Sequence, residues 1–244
     1  MSDTWPRWSA VVVFATAMAW VEAAVVLYLR TLVDRIVPYQ TDPLPPLPGA
    51  DWAELVREAS TLLMLGAVGW LAGRSWRSRL GYFALAFGWW DILYYVFLIP
   101  LTGWPRSWRD WDVLFLLPLP WWGPVLAQIL IALVLVCGGT LVVRHDTPDR
   151  PFWPRATTMA CGGTGAVLAL YVFMADALRT AHEGEAALRA MLPQRFNWSL
   201  FLLALGLMIL PVADLCLRTA ARSSRVRLSA PPGRTREVAL AKEA

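Results

Sequence analysis

The sequence alternates between long apolar stretches and short polar segments. Six of the apolar stretches are close to the roughly 20 residues that an α-helix needs to cross a bilayer. This pattern predicts an all-α fold, a polytopic transmembrane helical bundle of about six spans. The predicted spans cover residues 10–31, 55–73, 81–101, 122–143, 156–177 and 197–217.

The first apolar stretch has a second interpretation, a secretory signal peptide with a cleavage site at residues 17–19 (Ala-Met-Ala). However, the segment before it carries Arg7 as its one basic residue, and the apolar run continues beyond Ala19 to Leu29. These features favour a retained first helix.

The composition supports a membrane protein. Of the 244 residues, 57% are hydrophobic and 16% are charged, with a mean hydropathy of +0.48, whereas soluble domains are usually about 45–50% apolar and about 25% charged. The sequence predicts one transmembrane domain, residues 1–217, and a basic, disordered cytoplasmic tail, residues 218–244. We expect this tail to contact anionic lipid headgroups. Because it lacks aromatic residues and any nucleic-acid-binding motif, no nucleic acid is predicted as a partner.

Basic residues are distributed unequally between the two predicted sides of the membrane. Of the 22 lysines and arginines, 14 lie at the N-terminus, in the loops 74–79 and 144–155, or in the tail, and eight lie on the other side. Because positively charged segments are retained in the cytoplasm, both termini are predicted to be cytoplasmic, in the inner (plasma) membrane of a cell.

One apolar segment does not fit a simple span. Residues 111–124, WDVLFLLPLPWWGP, are too few to cross a bilayer and contain three prolines, which break helices. Irregular backbone at membrane depth persists where it is buried in protein or lines a cavity. We therefore predict a Pro-rich re-entrant segment leading into the fourth span, with a kinked, over-long helix as the alternative.

Two acidic residues lie near the middle of predicted spans: Glu22 in the first, and Asp91, within WWDILYY (89–95), in the third. A charge at the bilayer centre costs at least about 2.5–3.5 kcal/mol, so such residues usually face the bundle interior and are functional. On a helix, Tyr94 and Tyr95 follow Asp91 at three and four residues, on its face. This spacing predicts a buried carboxyl–phenol site. The alternative is that Asp91 makes a hydrogen bond that only holds helices together.

Two more acids, Glu58 and Asp112, are predicted near the extracytoplasmic membrane surface. The alternative for Glu58 is a solvated helix N-terminus, where an acid favours the helix dipole, and for Asp112 a helix N-cap. Asp214, near the end of the sixth span, is predicted either to pair with Arg218 or to extend its carboxylate to the membrane surface. The candidate site for a ligand or proton consists of Glu22, Glu58, Asp91, Tyr94, Tyr95 and Asp112.

Motifs for specific chemistry are few. The two histidines, His145 and His182, are predicted on opposite sides of the membrane, so no haem is expected. No H-E-x-x-H or G-x-S-x-G pattern occurs. A hard metal ion held by Glu22, Glu58, Asp91 and Asp112 is chemically possible, because Ca²⁺ and Mg²⁺ take oxygen ligands. The cofactor, if any, stays open.

Residues 90–125 carry a motif series, WDILYY, GWPRS, WDVLF and PLPWWGPV. With the glutamate of the first span and the REASTLLML segment, the series resembles a family of uncharacterised bacterial multi-pass membrane proteins. The resemblance covers the first half of the chain. It implies a bacterial inner-membrane protein and implies no activity.

Three hypotheses for function follow. In the first, the bundle binds or translocates a proton, a cation or a small polar solute at its intramembrane carboxylate–tyrosine site. In the second, the chain is a non-catalytic subunit or assembly partner of a larger membrane complex. In the third, it is an intramembrane enzyme that uses carboxylates and a metal on a lipid-type substrate.

Overall fold

The computed structural model describes residues 4–34, 36–40, 50–116, 118–147 and 149–229. Seven α-helices and one two-stranded sheet are found in this part of the chain, with a single 3-10 turn at Ala181–Glu183. The helices are α1 (Thr4–Leu32), α2 (Ala50–Ala72), α3 (Trp76–Thr102), α4 (Val125–His145), α5 (Ala156–Thr180), α6 (Glu185–Ala190) and α7 (Trp198–Ser229).

Six of these described helices, all except the short α6, are long and apolar enough to cross a membrane. Each matches one predicted span, so the prediction of a six-span helical bundle is confirmed. The helices α1, α2 and α3 begin five or six residues before the predicted spans, whereas α4 begins three residues after its predicted start. α7 continues to Ser229, past the predicted start of the tail at residue 218, while residues 230–244 lie outside the described residues.

The helices pack where small residues let backbones approach closely. α3 contacts α1, α2 and α4, whereas α5 packs mainly on α7. A Cβ atom added to Gly139 of α4 would lie 2.5 Å from the carbonyl oxygen of Gly81 in α3, and one added to Gly165 of α5 would lie 2.5 Å from that of Ala204 in α7. Such contacts are typical of helix packing in lipid, where apolar burial gives little preference for a protein neighbour.

Helix α3 has a defined beginning and end. Ser75 and Ser78 form a reciprocal capping box at its N-terminus, and Gly103 ends it in the left-handed conformation with φ of 70°. These signals set the register of the helix that carries Asp91, Tyr94 and Tyr95.

The segment between α3 and α4 is a β-hairpin. Strand β1 (Trp111–Val113) pairs antiparallel with β2 (Trp122–Pro124), with Asp112 opposite Gly123. The chain enters and leaves the hairpin at one end of the bundle, which we call the hairpin end. The opposite end, where α1 begins, is the terminal end.

The hairpin folds back between the helices. The Phe115 ring stacks at 6.3 Å on Phe87 and lies 6.5 Å from Trp90. Phe87 is 15 residues before the end of α3, about 22 Å along the helix at 1.5 Å per residue. The prediction of a re-entrant segment is confirmed. The alternative of a kinked helix is wrong, because α4 begins only at Val125 and the prolines are accommodated in the hairpin.

Candidate functional site

Carboxyl groups from three helices lie at a similar level in the bundle. Glu22 and Asp91 are ten and eleven residues before the ends of α1 and α3, and Glu58 is eight residues after the start of α2. All three helix termini are at the hairpin end, so these groups lie about 12–17 Å inside it. The structure therefore places the three predicted acids at one depth, and the hairpin adds Asp112.

Four polar side chains form a continuous hydrogen-bonded chain. The Tyr95 hydroxyl oxygen lies 2.9 Å from Asp112 Oδ2 and 2.7 Å from Gln128 Oε1. The Gln128 amide nitrogen donates to Asp91 Oδ1. Asp91 and Asp112 are 2% and 3% exposed. We call Asp112, Tyr95, Gln128 and Asp91 the carboxyl chain, since it has a carboxyl group at each end.

Arg30 of α1 holds the Asp112 end of this chain. Its Nη2 lies 3.3 Å from Asp112 Oδ1, and its Nη1 donates to the Ile36 carbonyl oxygen at 3.0 Å. The guanidinium also lies over the Trp104 ring, 4.3 Å from its centroid. Asp112 further accepts a hydrogen bond from the backbone N–H of Val113. The N-cap interpretation of Asp112 is wrong, because the residue lies in a strand.

A second group of charges joins α1 and α2. Arg57 donates to the carboxylates of Glu22 and Glu54, and the Thr61 hydroxyl lies 3.4 Å from Glu22 Oε2. The Arg57 and Glu22 side chains are 24% and 12% exposed. Glu22 is therefore neutralised by a charge from a neighbouring helix.

Glu58 holds the hairpin. Its two carboxylate oxygens lie 3.1 and 3.0 Å from the backbone nitrogen of Leu116, beside the hairpin tip. The residue is 5% exposed. The interpretation of Glu58 as a solvated helix N-terminus is wrong, because the inserted hairpin covers it.

Tyr94 lies between the two groups of charges. Its ring is 4.9 Å from that of Tyr95, and it interacts electrostatically with Arg30, Arg57 and Asp91. The six predicted site residues are thus brought into one region, the polar cluster. Its members are Glu22, Arg30, Glu54, Arg57, Glu58, Thr61, Asp91, Tyr94, Tyr95, Asp112 and Gln128.

The charges of the polar cluster do not balance. Counting the described residues, it contains five carboxyl groups and two guanidinium groups, so full ionisation would give these groups a net charge of −3. Burial raises the pKa of Asp112 above its ordinary value, although Arg30 and the hydrogen bonds from Tyr95 and Val113 act in the opposite direction. Uncompensated buried charges are costly, so the cluster favours binding of positive charge.

The sequence analysis did not predict five members of the cluster as site residues: Arg30, Glu54, Arg57, Thr61 and Gln128. Arg30 and Arg57 were counted as loop charges, and Gln128 was not considered, although each lies inside a helix. The rule applied to the acids, that polar groups within a span face the interior, would have found Arg57 and Gln128. Arg30, near the end of its helix, carries no such signal.

Other polar features lie away from the cluster. Asp214 accepts from the Arg155 backbone N–H at 2.9 Å and lies 3.8 Å from Arg218 Nη1, which confirms the predicted pairing. His145 ends α4 at the terminal end, whereas His182 lies in the 3-10 turn at the hairpin end. Throughout the described ranges, no group of three or more His, Cys, Asp or Glu residues is arranged to hold a metal ion.

Comparisons with known proteins give no relative: no family model, no curated protein and no solved structure matches this chain. The function must therefore be inferred from the residues of the polar cluster.

Proposed function

We propose that this membrane protein binds and releases protons at the polar cluster, as a step in moving protons or a proton-coupled solute across the membrane. The observation that carries the proposal is the charge imbalance, five buried or half-buried carboxyl groups against two guanidinium groups. A bound proton removes a buried negative charge without needing a preformed coordination shell. Carboxyl groups in such sites commonly act in proton relays.

The arrangement of the carboxyl groups favours protons over a multivalent cation. Glu22 is bound by Arg57, Glu58 by the Leu116 backbone, and Asp91 by Gln128. A calcium or magnesium ion would need several of these oxygens to converge. Each carboxyl group instead has its own hydrogen-bond partner, and each can gain or lose a proton without moving toward the others.

Protons would reach the cluster from the hairpin end, which we propose faces the extracytoplasmic side of a bacterial inner membrane. Arg30 and Arg57 lie in the polar cluster and are therefore not counted as loop charges. Six basic residues then remain in the segments at the hairpin end, against 14 on the side of the termini. This stronger bias supports cytoplasmic termini. Membership of the family that residues 90–125 resemble is likewise a proposal.

The test is proton release from the purified protein in lipid nanodiscs, measured with a pH-indicator dye during a step from mildly acid to mildly alkaline pH. The wild type should release protons that the Asp91→Asn/Asp112→Asn double variant does not. Asp214→Asn is the matched control, since Asp214 is a buried aspartate at the terminal end; it should release as many as the wild type.

A second measurement separates binding from transport. In vesicles with an imposed pH gradient and a potassium ionophore to prevent charge build-up, the wild type should dissipate the gradient faster than the double variant. Equal proton release by the wild type and the double variant would contradict the proposal. If instead both release and flux are normal in the double variant but a co-purifying protein is lost, the subunit hypothesis takes its place.

A further inference from the structure

We infer that Asp91 and Asp112 share a single proton through the carboxyl chain, and that the Gln128 amide sets which aspartate holds it. This inference deepens the proposed function and rests on it, since both require the site to bind protons. It concerns the two aspartates together, whereas the proposed function concerns the whole cluster.

When both aspartates are ionised, the carboxyl chain has too few hydrogen atoms for its contacts. The Tyr95 oxygen lies within hydrogen-bond distance of two acceptors, Asp112 Oδ2 at 2.9 Å and Gln128 Oε1 at 2.7 Å. A phenol has one proton and can donate once. With both aspartates ionised, one of the three links in the chain would join two acceptors and contain no hydrogen. At this burial, such an unfilled contact is unfavourable.

One additional proton fills all three links. If it is on Asp112, that carboxyl donates to the Tyr95 oxygen, Tyr95 donates to Gln128 Oε1, and Gln128 Nε2 donates to ionised Asp91. This arrangement agrees with the amide orientation in the structure. A second proton is not needed, because each link then already contains a hydrogen.

The same proton count permits a second arrangement. If the Gln128 amide is rotated by half a turn, Asp91 donates to Gln128 Oε1, Gln128 Nε2 donates to Tyr95, and Tyr95 donates to ionised Asp112. The two arrangements contain equal numbers of protons and hydrogen bonds. One proton leaves Asp112 and one arrives at Asp91. Every hydrogen bond of the carboxyl chain thereby reverses its direction, and the total charge does not change.

Arg30 biases the choice between these arrangements. It lies 3.3 Å from Asp112 Oδ1 and favours the ionised form of that carboxyl, whereas no ion pair joins Asp91 to a basic side chain among the described residues. Tyr94 is the other titratable neighbour and interacts with both aspartates. A movement of Arg30 toward Asp112 would therefore send the proton to Asp91, deeper in the bundle.

The experiment counts protonated aspartates by NMR of protein labelled with carboxyl-¹³C aspartate, in nanodiscs at neutral pH. Protonated and ionised carboxyl carbons give separate signals, and the Asp91→Asn/Asp112→Asn variant removes both groups of interest. The difference between the wild type and this variant should be one protonated carboxyl per protein. A difference of zero or two would overturn the inference.

A second measurement tests whether the link passes through Tyr95. Asp91→Asn supplies its own N–H donor to Gln128, so the protonation midpoint of Asp112 should fall by at least one pH unit, a tenfold change in affinity. In a Tyr95→Phe background the same substitution should have a clearly smaller effect. Tyr171→Phe is the control, since Tyr171 is an exposed tyrosine of α5 outside the polar cluster; it should leave the effect unchanged. An equal effect in both backgrounds would show that the aspartates interact through space alone and would overturn the inference.

These outcomes are separable from those of the proposed function. A shared proton that does not exchange would give a count of one and no release during the pH step. Conversely, if Asp91 and Asp112 each bound a proton of their own, the wild type would still release more protons than the double variant, while the count would differ from one.

Discussion

The contact between Glu58 and the hairpin allows a quantitative test of how the inserted segment is held. Both Glu58 carboxylate oxygens accept from the Leu116 backbone N–H, at 3.1 and 3.0 Å, and Glu58 is 5% exposed. In the Glu58→Ala variant this N–H would lose its acceptor in a region from which water is largely excluded. We expect the hairpin to open more easily in that variant.

The magnitude follows from the nature of the bond. Hydrogen bonds to charged groups contribute about 1.5–3 kcal/mol, and a buried donor left without a partner costs about 1–3 kcal/mol. If the free energy of opening the hairpin locally falls by this amount, amide exchange should accelerate by roughly 10- to 100-fold, at 1.4 kcal/mol per factor of ten. Glu58→Gln retains an acceptor oxygen and should produce a smaller acceleration.

The assay is hydrogen–deuterium exchange with mass spectrometry on the peptide that covers residues 111–124. Ser60→Ala is the matched control on the same helix, since the Ser60 hydroxyl bonds only within its own helix, to the Val56 carbonyl oxygen. It should leave exchange in the hairpin unchanged. If Glu58→Ala exchanges at the wild-type rate, the carboxylate does not hold the hairpin and the reasoning is refuted.

Three further predictions concern stability, each measured by thermal unfolding in mild detergent. Gly139→Ala should destabilise the protein by about 1–3 kcal/mol, because the new Cβ would meet the α3 backbone at 2.5 Å; Gly163→Ala, with open space at that position, is its control and should have little effect. Arg57→Gln should lower the melting temperature because it leaves Glu22 without its cation; adding Glu22→Gln should restore part of the loss, and no recovery would contradict the pairing. Because the pKa of Asp112 is raised in the folded state, its proton stabilises the fold at low pH and this contribution is lost as pH rises through the folded pKa; Asp112→Asn should weaken that pH dependence, and an unchanged dependence would assign it to other groups.

The sequence predicts the spans well because each must satisfy a local requirement, a long apolar run that buries its backbone hydrogen bonds within one helix. The re-entrant segment was predictable for a related reason, since three prolines in 111–124 prevent a continuous helix. Its form as a hairpin was not, because strands of three residues carry too little alternation to identify them.

The sequence predicts which residues belong to the candidate site better than it predicts which of them contact one another. The cost of charge in a bilayer identified Glu22 and Asp91 from position alone. The contacts of Asp112 with Tyr95, and of Arg57 with Glu22, join elements 17 and 35 residues apart in the sequence, and no local pattern specifies such pairs. The helical spacing that placed Tyr95 near Asp91 pointed to a direct contact, whereas Gln128 of α4 lies between them.

The hairpin connects the two groups of charges. Asp112, on its first strand, belongs to the carboxyl chain, and Leu116, beside its tip, is held by Glu58 among the charges of α2. A change of protonation at Asp112 therefore alters the forces on the same segment that Glu58 holds. By linkage, if protonation of Asp112 shifts the equilibrium for movement of the hairpin, that movement shifts the proton affinity of Asp112 by the same free energy. If the polar cluster binds protons as proposed, an inserted segment held by two carboxyl groups would connect proton binding to a change of shape at the hairpin end.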